Sequence, residues 1–540
     1  MRMKLRYLKP LPAVKRCKKS MKKINFKNSS FIIFLIISLW YALGNFIYWY
    51  MYTPIFVSNM DVLHFSQIFI DGYLYLCAPL MTWIMKSFFY IFGRHYYDLQ
   101  IIIINYLFFL IGLYFIYKIG VELKNKETGN IAMILFALTP SVYGLSRVYG
   151  HQDWHIMIAM IVNIYCLIKA DDFKNIKWSI LYGITVGLGL LIKDAFLPYF
   201  FIPWLYMVIR SLIDKVDKNK IQNILITIIL GSLISACHYF RLETVKKILN
   251  DPIIEQAIGS IFDFENIRVM TIGLSECLLS PPIFILFFIC FVWLIFKYKS
   301  YKKNVLILWI FIPWLIIFFM PHFKAAEYGL GFVPAMILVI SLYISNIKKT
   351  NIKKILILFL IFIGILQYFN FSYKICDIVP FNLKFYYKQN KIFYYDYVFI
   401  NYSIYNIRKK YILSFYRGIK KYKKYNVSLS YLIEDDLQFI CSINDFKFNR
   451  YYYMVNNDYD IYINIGKDLP SIENILALKK FAGRINKDSS IEQEKQKIEK
   501  LKEHIYNNFE VVEEFYILNI PKEENLIQIY KNKRLIDEGN

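Results

Sequence analysis

The chain has 540 residues, with 65 Lys and Arg against 40 Asp and Glu and a formal net charge of +25. Hydrophobic residues make up 57% and charged residues 19%, where a soluble globular chain averages roughly 45–50% and 25%; the mean hydropathy is +0.37. These values exclude an ordinary soluble enzyme, a disordered protein and a disulfide scaffold.

Where the charge lies decides its meaning. Residues 1–30 carry 11 Lys and Arg and no acid, and they precede an unbroken apolar run from Phe31 to Met51. That run is long enough to cross a hydrocarbon core of about 30 Å. It is too long for a cleavable signal core and no small-residue cleavage site follows it. It reads as a retained first span with the N-terminus in the cytoplasm.

Ten further candidate spans follow, at about 100–117, 129–146, 154–168, 178–192, 195–209, 221–239, 278–296, 304–320, 329–346 and 354–371. With alternation, the loops 118–127, 169–177, 210–220, 297–303 and 347–354 lie inside and hold 18 Lys and Arg against 6 acids. The outer segments hold 9 against 12 over many more residues. The basic excess is therefore a membrane-topology signal, with lysines at the anionic inner leaflet, and no nucleic-acid partner is expected. Residues Tyr73–Phe92 are apolar enough to span, but a span there would reverse this asymmetry. With Pro79 and Lys86 inside and Gly72 before it, the segment reads as a helix lying in the outer interface, within a first external loop at 53–99.

The remaining tail, 372–540, is polar. Val427–Leu432 and Tyr459–Ile465 read as strands, Ser490–Asn507 as a charged helix, and Phe515–Ile520 with Asn525–Lys531 as a closing strand pair around Pro521. The expected fold is thus membrane all-α, about eleven helices, followed by a soluble external α/β domain. Eight cysteines are scattered without a CxxC pair, which suits small buried hydrophobes; a bridge between Cys376 and Cys441 in the tail stays open.

Six of the seven histidines and nearly every unusual polar cluster fall on the expected outer side. The first cluster is Asn59-Met60-Asp61-Val62-Leu63-His64, soon after the first span. A carboxylate held there by apolar neighbours suits proton abstraction; the plain alternative is that Asp61 caps a helix. The second is Arg147-Val148-Tyr149-Gly150-His151-Gln152-Asp153-Trp154-His155. So many polar groups at an interface are costly unless used, and Asp153 reads as a second acidic group near Asp61. His151 and His155 share a helical face, so a divalent cation there stays open, although no carboxylate completes a ligand set locally. Lys193-Asp194 and Pro321-His322-Phe323-Lys324-Ala325-Ala326-Glu327-Tyr328 each put a lysine at an outer helix end, where it can meet a lipid phosphate or serve as a snorkelling anchor.

Together these residues resemble the GT-C class of polytopic glycosyltransferases, most of all the branch of protein O-mannosyltransferases and lipid A aminoarabinose transferases. An acidic residue early in the first loop corresponds to Asp61, and a second Asp after the third span to Asp153. A Gly-Leu-x-x-Leu-x-Lys stretch corresponds to Gly187–Lys193. A Pro-His-Lys-x-x-Arg-Tyr-like segment corresponds to Pro321–Tyr328, with Pro334 following and Glu327 in place of the basic residue. The His-Pro-Pro-Leu-like stretch of the first loop reads Tyr75-Leu76-Cys77-Ala78-Pro79-Leu80, without the histidine. The resemblance implies transfer of a sugar from a polyprenyl-phosphate donor to a hydroxyl of a lipid, glycan or protein, outside the cytoplasmic membrane. It implies Asp61 and Asp153 as catalytic carboxylates, Lys193, Lys324 and Arg147 as donor-phosphate contacts, and His64, His151, His155 and Tyr328 as pocket residues. Membrane lipid is the other expected partner. A surface-polysaccharide polymerase or ligase is the neighbouring reading. A transporter would instead put charges at mid-bilayer in broken helices with repeat symmetry.

Overall fold

In the computed structural model the described residues are 26–51, 79–93, 97–147, 152–214, 217–239, 278–319 and 326–373, with isolated positions before 278. Beyond 373 they are short stretches, chiefly 427–429, 448–449, 461–465, 507–516 and 526–533. The helices are α1 (Phe26–Met51), α2 (Leu80–Phe92), α3 (Tyr97–Leu123), α4 (Lys126–Leu138), α5 (Pro140–Leu145), α6 (Gln152–Ala170), α7 (Ile176–Ile192), α8 (Leu197–Asp214), α9 (Lys218–Tyr239), α10 (Pro281–Lys297), α11 (Tyr301–Phe319), α12 (Val333–Asn346) and α13 (Thr350–Tyr373). Short 3-10 turns occupy Asp194–Phe196 and Ala326–Phe332.

Seven of the described helical segments are long and apolar enough to cross a membrane: Ser29–Tyr50, Leu99–Leu123, Gln152–Ala170, Asp194–Ile213, Lys218–Tyr239, Gly329–Asn346 and Thr350–Phe369. Leu80–Phe92, Ile176–Ile192 and Pro282–Lys297 are shorter apolar helices. The expected span at 129–146 is two helices, α4 and α5. Thr139 is extended at the junction and Pro140 opens α5, because a proline has no N–H to continue the ladder but suits a first helical position. Helix α2 has 13 residues, about 20 Å at 1.5 Å per residue and too short to cross. Its Met81, Met85 and Phe89 are buried and recur every fourth residue, so one stripe faces the bundle.

Several described loops meet at one end of the bundle, where side chains stitch them together. Lys169 Nζ meets Glu122 Oε1 at 3.1 Å, and Lys302 Nζ lies 3.7 Å from Glu122 Oε2. Lys124 donates to Ser345 O and Asn346 Oδ1, 2.8 Å each. Partial burial, then neighbouring Lys353, lowers the pKa of Lys124. Asp171, Asp172 and Phe173 follow one another in the left-handed region, with φ of 48°, 56° and 59°. Such a run is strained. It is held by Asn223 donating to Phe173 O at 2.7 Å, Ser211 donating to Asp172 O at 2.9 Å, and an Arg210–Asp172 ion pair at 3.3 Å.

The core runs through α3, α4, α6 and α12, whose inward faces are fully buried. Helix α6 packs against both α3 and α7, and α7 against α9. The α7–α9 approach uses small residues: a Cβ at Gly183 would lie 2.9 Å from Thr227 O, and one at Gly187 2.6 Å from Ile234 Cβ. Without a hydrophobic drive in lipid, such close packing holds helices together.

In the C-terminal part, β1 (Val427–Leu429), β2 (Phe448–Asn449), β3 (Ile461–Ile465), β4 (Phe509–Tyr516) and β5 (Leu526–Asn532) form one sheet in the order β2-β1-β3-β5-β4. β1 pairs in parallel with β2 and β3; β5 is antiparallel to β3 and β4. Strand β2 was not expected, and β4 begins at Phe509 rather than Phe515, since a register shift between Val511 and Glu513 hides its alternation. Cys376, Cys441 and residues 517–520 lie outside the described residues.

Candidate functional site

The end of the bundle opposite the stitched loops holds Arg147, Asp153 and Lys193 among the residues singled out in the sequence. Asp153 stands in the first turn of α6, and Lys193 is the C-cap of α7, extended at φ −166° with its N–H donating to Gly189 O. A helix N-terminus favours an anion and a C-terminus a cation, so each charge complements its own helix. The two helices pack side by side, and Lys193 Nζ reaches Asp153 Oδ2 at 2.8 Å. The Asp153 side chain is 6% exposed and that of Lys193 26%. The lysine is thus the more exposed member of the pair.

The 3-10 turn Ala326–Phe332 packs on α6. It is pinned by Trp309, whose Nε1 donates to Gly331 O at 2.8 Å. Tyr199 lies flat against Gly331, where a Cβ would stand 2.5 Å from its ring. Only a glycine admits that approach. The backbone of Tyr328 belongs to this turn, which brings it to the same end as Asp153 and Lys193.

Arg147 follows α5 and is 1% exposed. Its Nε donates to Asn45 Oδ1 at 3.1 Å, Nη1 to Ser372 Oγ at 2.6 Å and Nη2 to Tyr368 Oη at 2.7 Å. Its guanidinium also lies over the rings of Tyr48 and Tyr368, 4.9 and 5.1 Å from their centroids. A planar five-donor fork between aromatic faces suits arginine and not lysine. Arg147 is thus engaged with α1 and α13. Gly44 makes room: a Cβ there would come within 1.8 Å of Tyr368 Oη.

His155 is fully buried and faces α3, where its Nε2 lies 3.1 Å from Asn105 Oδ1 and its ring stands edge-on to Phe108. Among the described residues no three His, Cys, Asp or Glu come together as a metal site. Asp61, His64, His151 and Lys324 lie outside the described residues. Sequence reasoning did not single out Asn45, Asn105, Tyr368 or Ser372. Asn45 and Asn105 are amides in otherwise apolar stretches, and that was the available signal; Tyr368 and Ser372 lie among Gln367 and Asn370 and did not stand out.

The chain is similar to known proteins in part of its sequence and in its fold. The family described as dolichyl-phosphate-mannose-protein mannosyltransferase matches residues 77–238, the stretch that contains Arg147, Asp153 and Lys193. Among solved structures, ArnT from Cupriavidus metallidurans bound to undecaprenyl phosphate is similar with a TM-score of 0.56 at 9% identity, covering 92% of this chain and 97% of that one. Its apo form gives 0.55 at 10% identity, covering 94% and 98%. The Archaeoglobus fulgidus oligosaccharyltransferase in the apo form gives 0.52 at 12% identity, covering 86% and 71%. No curated protein matches the chain in sequence. The resemblance to GT-C glycosyltransferases holds, and the fold is of that class.

Proposed function

We propose that this chain is a membrane glycosyltransferase of the GT-C type, which moves a sugar from a polyprenyl-phosphate donor to a hydroxyl on the outer side of the cytoplasmic membrane. The observation that carries the reading is the Asp153–Lys193 pair at 2.8 Å, held at one end of a helical bundle with that fold. In the reaction the acceptor oxygen attacks the anomeric carbon as the bond from that carbon to the phosphate oxygen breaks. Polyprenyl phosphate departs with the electron pair, and the hydroxyl proton passes to a carboxylate. Phosphate leaves well, so a base suffices without a general acid.

In this reading Asp61 is the base and Asp153 the second carboxylate of the centre. Lys193 and Lys324 meet the donor phosphate, and cations there stabilise the charge that grows on it. His64, His151 and Tyr328 line the pocket. Eleven passages, an inside N-terminus at 1–30, a membrane domain at 31–371 and an external α/β domain at 372–540 complete the topology. The loop charges support it by the positive-inside rule.

Mass spectrometry of lipid, glycan and protein from a deletion strain tests the reading. One glycosylated species should vanish and return with the wild-type chain but not with Asp153→Asn. Identical inventories with and without the chain would remove it.

A further inference from the structure

Asp153 points at Lys193, yet nothing in its own ion pair fixes the rotation of the helix that carries it. Two residues on, His155 leaves α6 about 200° around the helix axis, toward α3. There Nε2 meets Asn105 Oδ1 at 3.1 Å. Asn105 is itself fully buried and donates its Nδ2 to Ser146 O at 2.9 Å. Because the amide nitrogen is turned to a carbonyl, its oxygen faces the imidazole, so His155 Nε2 carries the proton. One side chain of α3 therefore grips both feet of the connection that leads into the Asp153 turn, at residue 146 and at residue 155.

The first foot is held again from α1 and α13. Tyr41 Oη lies 2.7 Å from Ser146 Oγ and donates to Val142 O at 2.8 Å. The adjacent Arg147 is bound to Asn45, Tyr368 and Ser372. Buried polar side chains so engaged are costly to leave half-satisfied.

We propose that Asn105 is a positioning residue, which aims Asp153 by tying Ser146 and His155 to α3. This rests on the reading of Asp153 as a working carboxylate. It assigns His155 a place in the support of the site rather than in the pocket. Misplacement of a reacting group by about 1 Å costs up to about 10²-fold in rate, so a large loss of turnover should accompany a small change in binding.

The test uses the full chain, with product formation measured in the complemented deletion strain and undecaprenyl phosphate as the binding probe for the purified protein. Asn105→Ala should lower product formation about tenfold or more while the dissociation constant for undecaprenyl phosphate stays within about twofold. His155→Ala should do the same, and His155→Gln, whose amide can donate to Asn105 Oδ1, should recover most of the loss. Asn105→Ala added to Asp153→Asn should cost nothing further. Additive losses, an unchanged Asn105→Ala rate, or equal defects in His155→Gln and His155→Ala would overturn the inference. Parallel falls in probe binding and melting temperature would overturn it too, as a merely structural role. Full activity of Asp153→Asn is a different outcome, because it removes the reading beneath.

Discussion

Asp153 and Lys193 are 40 residues apart in sequence and 2.8 Å apart in the bundle. The contact joins the positive end of one helix dipole to the negative end of another through two charges of the opposite sign. In the proposed reading, the donor phosphate meets an ammonium oriented by a nearly buried carboxylate.

Lys193→Ala should therefore weaken use of the donor. A hydrogen bond to a charged group contributes roughly 1.5–3 kcal/mol, which is on the order of tenfold or more in kcat/KM. Lys193→Arg should retain part of the activity, since charge persists while reach and geometry change. Kinetics of both variants check this, and wild-type values for Lys193→Ala would return the lysine to a snorkelling anchor.

Arg147→Lys should act on stability before it acts on the donor. The three hydrogen bonds to Asn45, Tyr368 and Ser372 and the stacking on Tyr48 need a planar fork, which an ammonium cannot supply. The expected result is a lower melting temperature in detergent, with the dissociation constant for undecaprenyl phosphate within about twofold. A loss of binding with unchanged melting would assign Arg147 to the phosphate instead.

Gly44→Ala probes the same contact from the other side. The added methyl would stand 1.8 Å from Tyr368 Oη and 3.5 Å from Arg147 Nη2, so the Tyr368 side chain or its helix must shift. Overpacking of this kind costs about 1–3 kcal/mol, visible as a fall in melting temperature. Gly93→Ala meets no atom within 4 Å, and its cost comes instead from a backbone φ of 76°.

The membrane orientation has its own check. Reporter fusions after residues 120, 215, 300 and 350 should score cytoplasmic, and a fusion after 380 external. A cytoplasmic result at 380 would remove the case for an external C-terminal domain.

Much of this was legible in the sequence because apolar runs and helix-end charges are local signals. Asp153 and Lys193 stood out as charges at the margins of hydrophobic helices, and the helices themselves lie where those runs lie. The supporting residues were not legible. Arg147 finds Asn45, Tyr368 and Ser372 at separations of 102, 221 and 225 residues, and no periodicity encodes such partners. Asn105 was hidden for the same reason, since one amide in an apolar helix shows neither its partner nor its purpose. In the tail, the shift between Val511 and Glu513 broke the two-residue alternation that would have marked β4.

The central claim is most directly tested with the purified chain in lipid nanodiscs, supplied with the polyprenyl-linked fraction and the acceptor fraction of its host's membranes. Free polyprenyl phosphate should appear in step with new glycoside. Asp61→Asn should slow this by about 10²–10⁴-fold, as expected for loss of a general base, although asparagine would serve equally well as a helix cap. No release of polyprenyl phosphate by the wild-type chain would contradict the account, and undiminished release by Asp61→Asn would contradict the assignment of the base.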